Sequence, residues 1–142
     1  MSTLLIGSKF VDGVVPIIDD AKQSIDIVMF YWKVDKTKQT SATMTLTAAL
    51  ARAVARGVRV RMLGANESTR AYLRLLGLEA KELYTDKMVH GKIMCVDGHV
   101  CVLGSHNYTE AAFTRNLEVS LLVDLGETGK VYTQWFDALW GL

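Results

Sequence analysis

Within residues 90–120, HGKIMCVDGHVCVLGSHNYTEAAFTRNLEVS, four side chains of complementary chemistry fall at short spacing. They are the imidazole of His90, the ammonium of Lys92, the hydroxyl of Ser105 and the carboxamide of Asn107. Asp97-Gly98 stands between two apolar runs, and both residue types tolerate the positive φ that a two-residue hairpin turn requires. Such a turn pairs Val96 with His99, Met94 with Cys101, Lys92 with Leu103 and His90 with Ser105. Side chains alternate along a strand, so His90, Lys92, Ser105 and Asn107 are expected on one face, at one end of the hairpin. A neutral imidazole there can attack phosphorus while the lysine and the neutral donors stabilise charge growing on the non-bridging oxygens. Chemistry of this kind needs no metal ion.

A metal site is the competing reading of the three histidines, His90, His99 and His106. Only His90 and His99 are spaced to share the hairpin face, and no convergent carboxylate or thiolate cluster accompanies them. No metal and no cofactor is therefore expected, and His99 and His106 read as non-catalytic. The same register sends Cys95 and Cys101 to opposite faces as reduced core thiols, which argues against a disulfide within the hairpin. Asp97 lies at the turn, off the parity of His90 and Lys92, and reads as a shaper of the hairpin.

The spaced pattern His90-x-Lys92-x4-Asp97-x6-Gly104-Ser105-x-Asn107 resembles the signature of the phospholipase D superfamily in every fixed position. The likeness extends over most of the chain, through IDIVMFY, ARAVARGVRVRML and the closing segment, and looks like the short single-motif bacterial endonucleases of that superfamily. It implies a phosphohistidine on His90, with His90 of a second subunit protonating the leaving oxygen and later activating water. Lys92 would neutralise the phosphoryl group, and Ser105 and Asn107 would donate to its oxygens. Glu118 stands where related short nucleases carry an acidic residue, which implies a carboxylate that sets the tautomer of His90. Asp97 and Gly104 enter as structural positions of the motif. Lipid-cleaving members carry two such motifs in one chain; this chain carries one, which implies a homodimer with its active site at the twofold interface.

The elements that must position these residues follow from periodicity and punctuation. Helices are expected over 14–23, 44–56, 67–76 and 127–140, with Gly57 and Gly77 as helix stops. Strands are expected over 25–31, 58–63, 78–83 and 117–123, besides the two that flank Asp97-Gly98. Helices alternating with strands predict one α/β domain over 1–142: a mixed, mostly parallel central sheet with helices on both faces. Arg52 and Arg56 lie four apart on one helical face, and Lys33, Lys36 and Lys38 crowd a loop that follows a strand end. Ligands gather beyond the carboxyl ends of strands, so Lys33, Arg52 and Arg56, with Tyr31 and Trp32, are candidates to grip a polyanion by charge and stacking.

Composition bounds the function classes. The 142 residues are half hydrophobic, enough for a sizeable core, and 16 basic against 15 acidic residues leave a net charge of +1. That balance excludes a strongly polyanion-coating protein, so an anionic substrate must be recognised locally. The opening MSTLLIGSKFVDG carries too short an apolar run for a secretory signal, which predicts a cytoplasmic protein, or a periplasmic or secreted one if a leader has been removed. The expected function is hydrolysis of DNA or RNA phosphodiesters. A lipid phosphodiesterase uses the same chemistry, but no strongly apolar membrane-binding segment supports it. A non-catalytic phosphate-binding or regulatory module is the third reading, against which the intact His90, Lys92, Asn107 and Glu118 count.

Overall fold

The computed structural model describes the chain from Met1 to Leu142. In chain order the elements are β1 (Ser2–Ile6), α1 (Phe10–Asp19), β2 (Ser24–Met29), α2 (Ala42–Ala55), β3 (Arg59–Gly64), α3 (Glu67–Leu75), β4 (Glu79–Lys81), β5 (Lys92–Val96), β6 (Val100–Gly104), α4 (Glu110–Thr114), β7 (Val119–Asp124) and α5 (Gly129–Trp140). The strands form a single sheet in the order β1-β7-β6-β5-β2-β3-β4. A mixed α/β sheet with helices on both faces is what the sequence predicts, but the predominance of parallel pairing is not found. Only β2–β3 and β3–β4 are parallel, and the other four pairings are antiparallel. The reason lies in β5, β6 and β7, which follow one another without a crossover helix, and in β1, a short edge strand that the sequence reading did not anticipate.

Both helices that follow parallel strands start on a polar cap. The Ser41 hydroxyl accepts from Met44 N at the head of α2, and the Asn66 side chain accepts from Thr69 N at the head of α3. Each cap satisfies a backbone donor that has no partner within its helix. One sheet face, carrying Ile25, Ile27, Met29, Met62, Met94, Val96 and Val102, packs with Val14, Ile18, Leu46, Leu50 and Leu73 of the first three helices into the main core. The opposite face presents Val28, Leu63, Cys95 and Cys101 to Tyr132 and Phe136 of α5. That helix covers only the middle of its face. Beyond it, on strands β1, β6 and β7, Leu4, Ile6, Leu103 and Val119 remain 64, 56, 39 and 48% exposed. No helix is long and apolar enough to cross a membrane.

The hairpin turn sits where Asp97-Gly98 places it, with φ of 53° and 76°, but its register differs from the two-residue prediction. Val96 pairs with Val100, Cys95 with Cys101, Met94 with Val102 and Ile93 with Leu103, so three residues rather than two form the loop. The expected His90–Ser105 and Lys92–Leu103 pairings therefore do not form. Cys95 and Cys101 are corrected from opposite faces to facing positions on one face. Neighbouring strands impose this shift: β2 pairs Ile27 with Met94, β7 pairs Leu122 with Val102, and all four must point into the same core. A slip of one residue on either strand would turn its apolar set to the other face.

Asp97 fastens that turn to the rest of the molecule. Its carboxylate accepts from Lys22 N at 3.0 Å, Gln23 N at 2.7 Å and Ser24 N at 3.1 Å, in the α1–β2 connection. Burial would raise this carboxyl, but the bonds from Gln23, Lys22 and Ser24 outweigh it and hold it below the ordinary aspartate range. Asp97→Ala is expected to destabilise the fold by about 2–4 kcal/mol, since three backbone donors lose a charged acceptor. The folded carboxyl titrates below its unfolded value of about 3.9, so its stabilisation is present above that pH and is lost as pH falls through the folded value. Thermal melts of wild type and variant should differ at neutral pH and converge in acid.

Candidate active site

His90 lies in the connection between β4 and β5, two residues before the first residue of β5, and its side chain is exposed. Its ring packs against Phe30, just past the end of β2, with centroids 4.8 Å apart. Lys92 opens β5 opposite Met29. Its ammonium sits 5.4 Å from the centre of the Phe30 ring and donates to the His90 carbonyl at 3.3 Å. One aromatic side chain thus shelves both the imidazole and the cation. A bond from Phe30 N to Gly91 O, at 3.1 Å, extends the β2–β5 ladder beneath them.

A second cluster stands on the β6–β7 side. The Ser105 hydroxyl donates to Glu118 Oε1 at 2.6 Å and accepts from Val119 N at 3.0 Å, while Asn116 Nδ2 donates to Glu118 Oε2 at 3.0 Å. Burial would raise the Glu118 carboxyl. The bonds from Ser105 and Asn116, with the positive field of Lys92 among the lesser causes, reverse this and keep it below the usual glutamate range. Glu118 is therefore a carboxylate whose two oxygens serve Ser105 and Asn116, not the His90 ring. Gly104 makes the arrangement possible. A Cβ there would lie 2.4 Å from Ser120 Cα and 2.5 Å from Val119 O, so only glycine lets β6 lie close enough to β7 for Ser105 to reach Glu118.

Asn107 is half-buried, and its enclosed Oδ1 has no hydrogen-bond partner. An unpaired buried polar atom costs roughly 1–3 kcal/mol, and the capacity left unused here is that of an acceptor, so only the Nδ2 side of the amide can serve an anion. The segment around it lies beside the one that follows β2. Trp32 and Tyr108 form a parallel bridge, Tyr108 N donates to Tyr31 O, and Lys33 N donates to Tyr108 O, both at 3.0 Å. Lys33 consequently stands at the same end of the sheet as His90, Lys92, Ser105 and Asn107.

The other residues singled out in the sequence have different surroundings. Arg52 forms a two-pronged pair with Asp19 at 3.2 Å, and Arg56 Nη2 donates to Ile18 O at 2.8 Å, so both clamp α2 to the end of α1. That end of the sheet carries the Asp97 turn, opposite to His90, and the expected substrate contact for these arginines is corrected to a helix-docking one. Trp32 is fully buried and cannot stack on a ligand, whereas Tyr31 remains exposed. His106 is buried between Ser120 Oγ at 2.7 Å and Gly7 O at 2.9 Å, and burial lowers its pKa. His99 meets Asp124 at 3.0 Å beside the turn. No group of three His, Cys, Asp or Glu side chains is placed to hold a metal ion. Phe30 and Asn116 are the site residues that sequence reasoning missed. Phe30 reads as one more apolar residue of a strand, and only its place next to the strand end could have marked it.

Beside His90, on the α5 side of the sheet, lies a cavity of about 370 Å³ walled by Val28, Leu63, Met88, Val89, Trp135 and Leu139. It gives the imidazole an apolar neighbour region, while Lys92 supplies a charged one.

Residues 14–140 match the family model described as "Cardiolipin synthase, PLD-like domain". The mitochondrial cardiolipin hydrolase of Xenopus tropicalis is 37% identical over 101 residues, which is 64% of this chain and 48% of that protein. The chain spans about half the length of the curated relatives it matches. Among solved structures, Nuc from Salmonella typhimurium, a phospholipase D family member, superposes with a TM-score of 0.80 at 21% identity, over 99% of this chain and 95% of Nuc. NucT from Helicobacter pylori does so with a TM-score of 0.78 at 18% identity, over 99% and 96%. These two likenesses bear on the fold.

Proposed function

The chain belongs to the phospholipase D-like family, and on that premise we propose that it is a phosphodiesterase that hydrolyses nucleic acid through a covalent intermediate on His90. The observation that carries this reading is the packing of His90 and Lys92 on the Phe30 ring, at the end of the sheet where Ser105 and Asn107 follow β6 in the spacing of the family motif. A neutral imidazole nitrogen attacks phosphorus, the bond to the leaving oxygen breaks, and that oxygen takes a proton from His90 of the partner subunit. The partner's imidazole, now neutral, removes a proton from water, which attacks the phosphohistidine and frees His90. Lys92 balances the charge on the non-bridging oxygens, and the Nδ2 amide of Asn107 donates to them as a neutral partner. Glu118 acts through Ser105, fixing its hydroxyl at the rim of the site.

Two features support a symmetric dimer as the working form. Within one chain no second imidazole is near His90, because His106 is sequestered in the core and His99 stands by the far turn. The apolar strip of Leu4, Ile6, Leu103 and Val119 adjoins Ser105 and Glu118, and its burial against a second copy would set two sites side by side.

A lipid substrate is the second reading, favoured by the apolar cavity next to His90, which suits a hydrophobic substituent on the phosphate. The likeness of the His90-to-Asn107 motif and its flanking segments to the short endonucleases of the family favours nucleic acid. The purified protein should be assayed on plasmid DNA, on RNA and on cardiolipin vesicles in excess chelator. Cleavage of DNA or RNA under those conditions is the expected result. Turnover of cardiolipin alone would transfer the proposal to the lipid reading, phosphate binding without turnover would sink both, and activity that chelator abolishes and zinc or magnesium restores would refute the metal-free mechanism.

A further inference from the structure

Cys95 and Cys101 occupy facing positions on β5 and β6, both buried under α5 beside Val28, Leu63, Tyr132 and Phe136. Their sulfurs touch at 2.7 Å, and neither thiol meets another polar side chain. The backbone around the turn shows which kind of pair they form. Asp97 N donates to Ser24 O on β2, His99 N donates to Val96 O across the hairpin, and Leu125 N donates to His99 O on the β7 side. In an antiparallel sheet both backbone groups of a residue point to the same neighbour, and the direction alternates along the strand. Val96 and Val100 therefore bond to each other's strand, while the groups of Cys95 point to β2 and those of Cys101 to β7. The cysteines are a non-hydrogen-bonded pair, the kind with Cα atoms about 4.5 Å apart and side chains closest together. That spacing falls within the range of about 4.4–6.8 Å that a disulfide spans.

From this register we propose that Cys95 and Cys101 form a cross-strand disulfide when the chain folds in an oxidising environment. A small-molecule disulfide such as oxidised glutathione serves as the oxidant. The thiolate of one cysteine displaces one glutathione to give a mixed disulfide, and the second cysteine then attacks that sulfur and displaces the other. Two electrons pass to glutathione, and the two protons leave with the two reduced glutathione molecules. Exchange must precede the docking of α5. In the folded chain both sulfurs are buried beneath α5, where a glutathione disulfide cannot reach them. The bond adds a covalent rung to the hairpin whose first residue is Lys92, without altering its register.

The test is to refold denatured protein in a glutathione redox buffer, denature it again, and count thiols with a mass-tagged alkylating reagent beside a non-reducing gel. The expected result is an untagged monomer band that becomes doubly tagged after reduction, with a melting temperature about 5 °C above that of the reduced protein. Folded reduced protein given the same buffer should remain doubly tagged over the same period. A Cys101→Ala chain, which needs no native fold for this readout, should carry one tag. Two free thiols after oxidative refolding, or disulfide-linked dimers in place of the untagged monomer, would overturn the proposal.

Discussion

Substitution of His90 by alanine is expected to lower phosphodiester turnover by about 10⁴-fold or more, because removing the nucleophile of a covalent mechanism removes the pathway and not one contact within it. The same change should leave the melting temperature nearly unaltered. The His90 side chain is exposed and packs against Phe30, so no cavity opens in either core cluster. Lys92→Ala is a graded companion. It removes charge stabilisation without removing the nucleophile, and should cost about 10²–10³-fold in kcat. Single-turnover cleavage of a labelled diester, with thermal melts of the same preparations, separates the two effects. A His90→Ala protein that retains more than a few per cent of turnover would defeat the nucleophile assignment.

A charge placed in the exposed apolar strip should have an effect of comparable size by a different route. Leu103→Asp introduces a carboxylate at a position already 39% exposed in the single chain, so the monomer's fold should tolerate it. In a symmetric interface the substitution enters twice, and two like charges meet across or near the axis, at a cost of several kcal/mol. Sedimentation at the assay concentration is expected to show monomer where wild type shows dimer, and turnover should fall by at least about 10²-fold, the usual worth of a general acid. An active monomer would refute the shared site.

The family motif was legible in the sequence because its information is local: residue types at fixed spacing, and a turn dipeptide that had to adopt positive φ. The register of the hairpin was not, because Asp97-Gly98 opens a two- or a three-residue loop equally well, and the choice is made by β2 and β7, which require Met94 and Val102 to face the same core. That single residue of shift moved Ser105 from His90 to Glu118 and brought the cysteines together. Arg52 and Arg56 failed as substrate contacts for a related reason. Helical spacing shows that two side chains share a face, but only packing shows that Asp19 and the end of α1 lie opposite. Trp32 shows the same limit for aromatic residues near a strand end, since a side chain suited to stacking on a ligand is equally suited to the core, where Tyr108 meets it edge-on at 5.0 Å.

The Trp32–Tyr108 bridge fixes the path by which the chain reaches β5. Strands β2 and β6 flank β5, yet past its first residue they join each other, closing the lane that β5 would occupy if it began earlier. The chain entering β5 must therefore descend from above the sheet plane, on the side where Val28 and Leu63 face α5, and His90 is the last side chain before that descent ends at Gly91 and Lys92. The imidazole stands on a step whose riser is a paired backbone, a barrier on one side and a rigid footing beneath. That footing is hydrogen-bonded before any ligand arrives, so the backbone beneath His90 and Lys92 has no ordering left to undergo on binding.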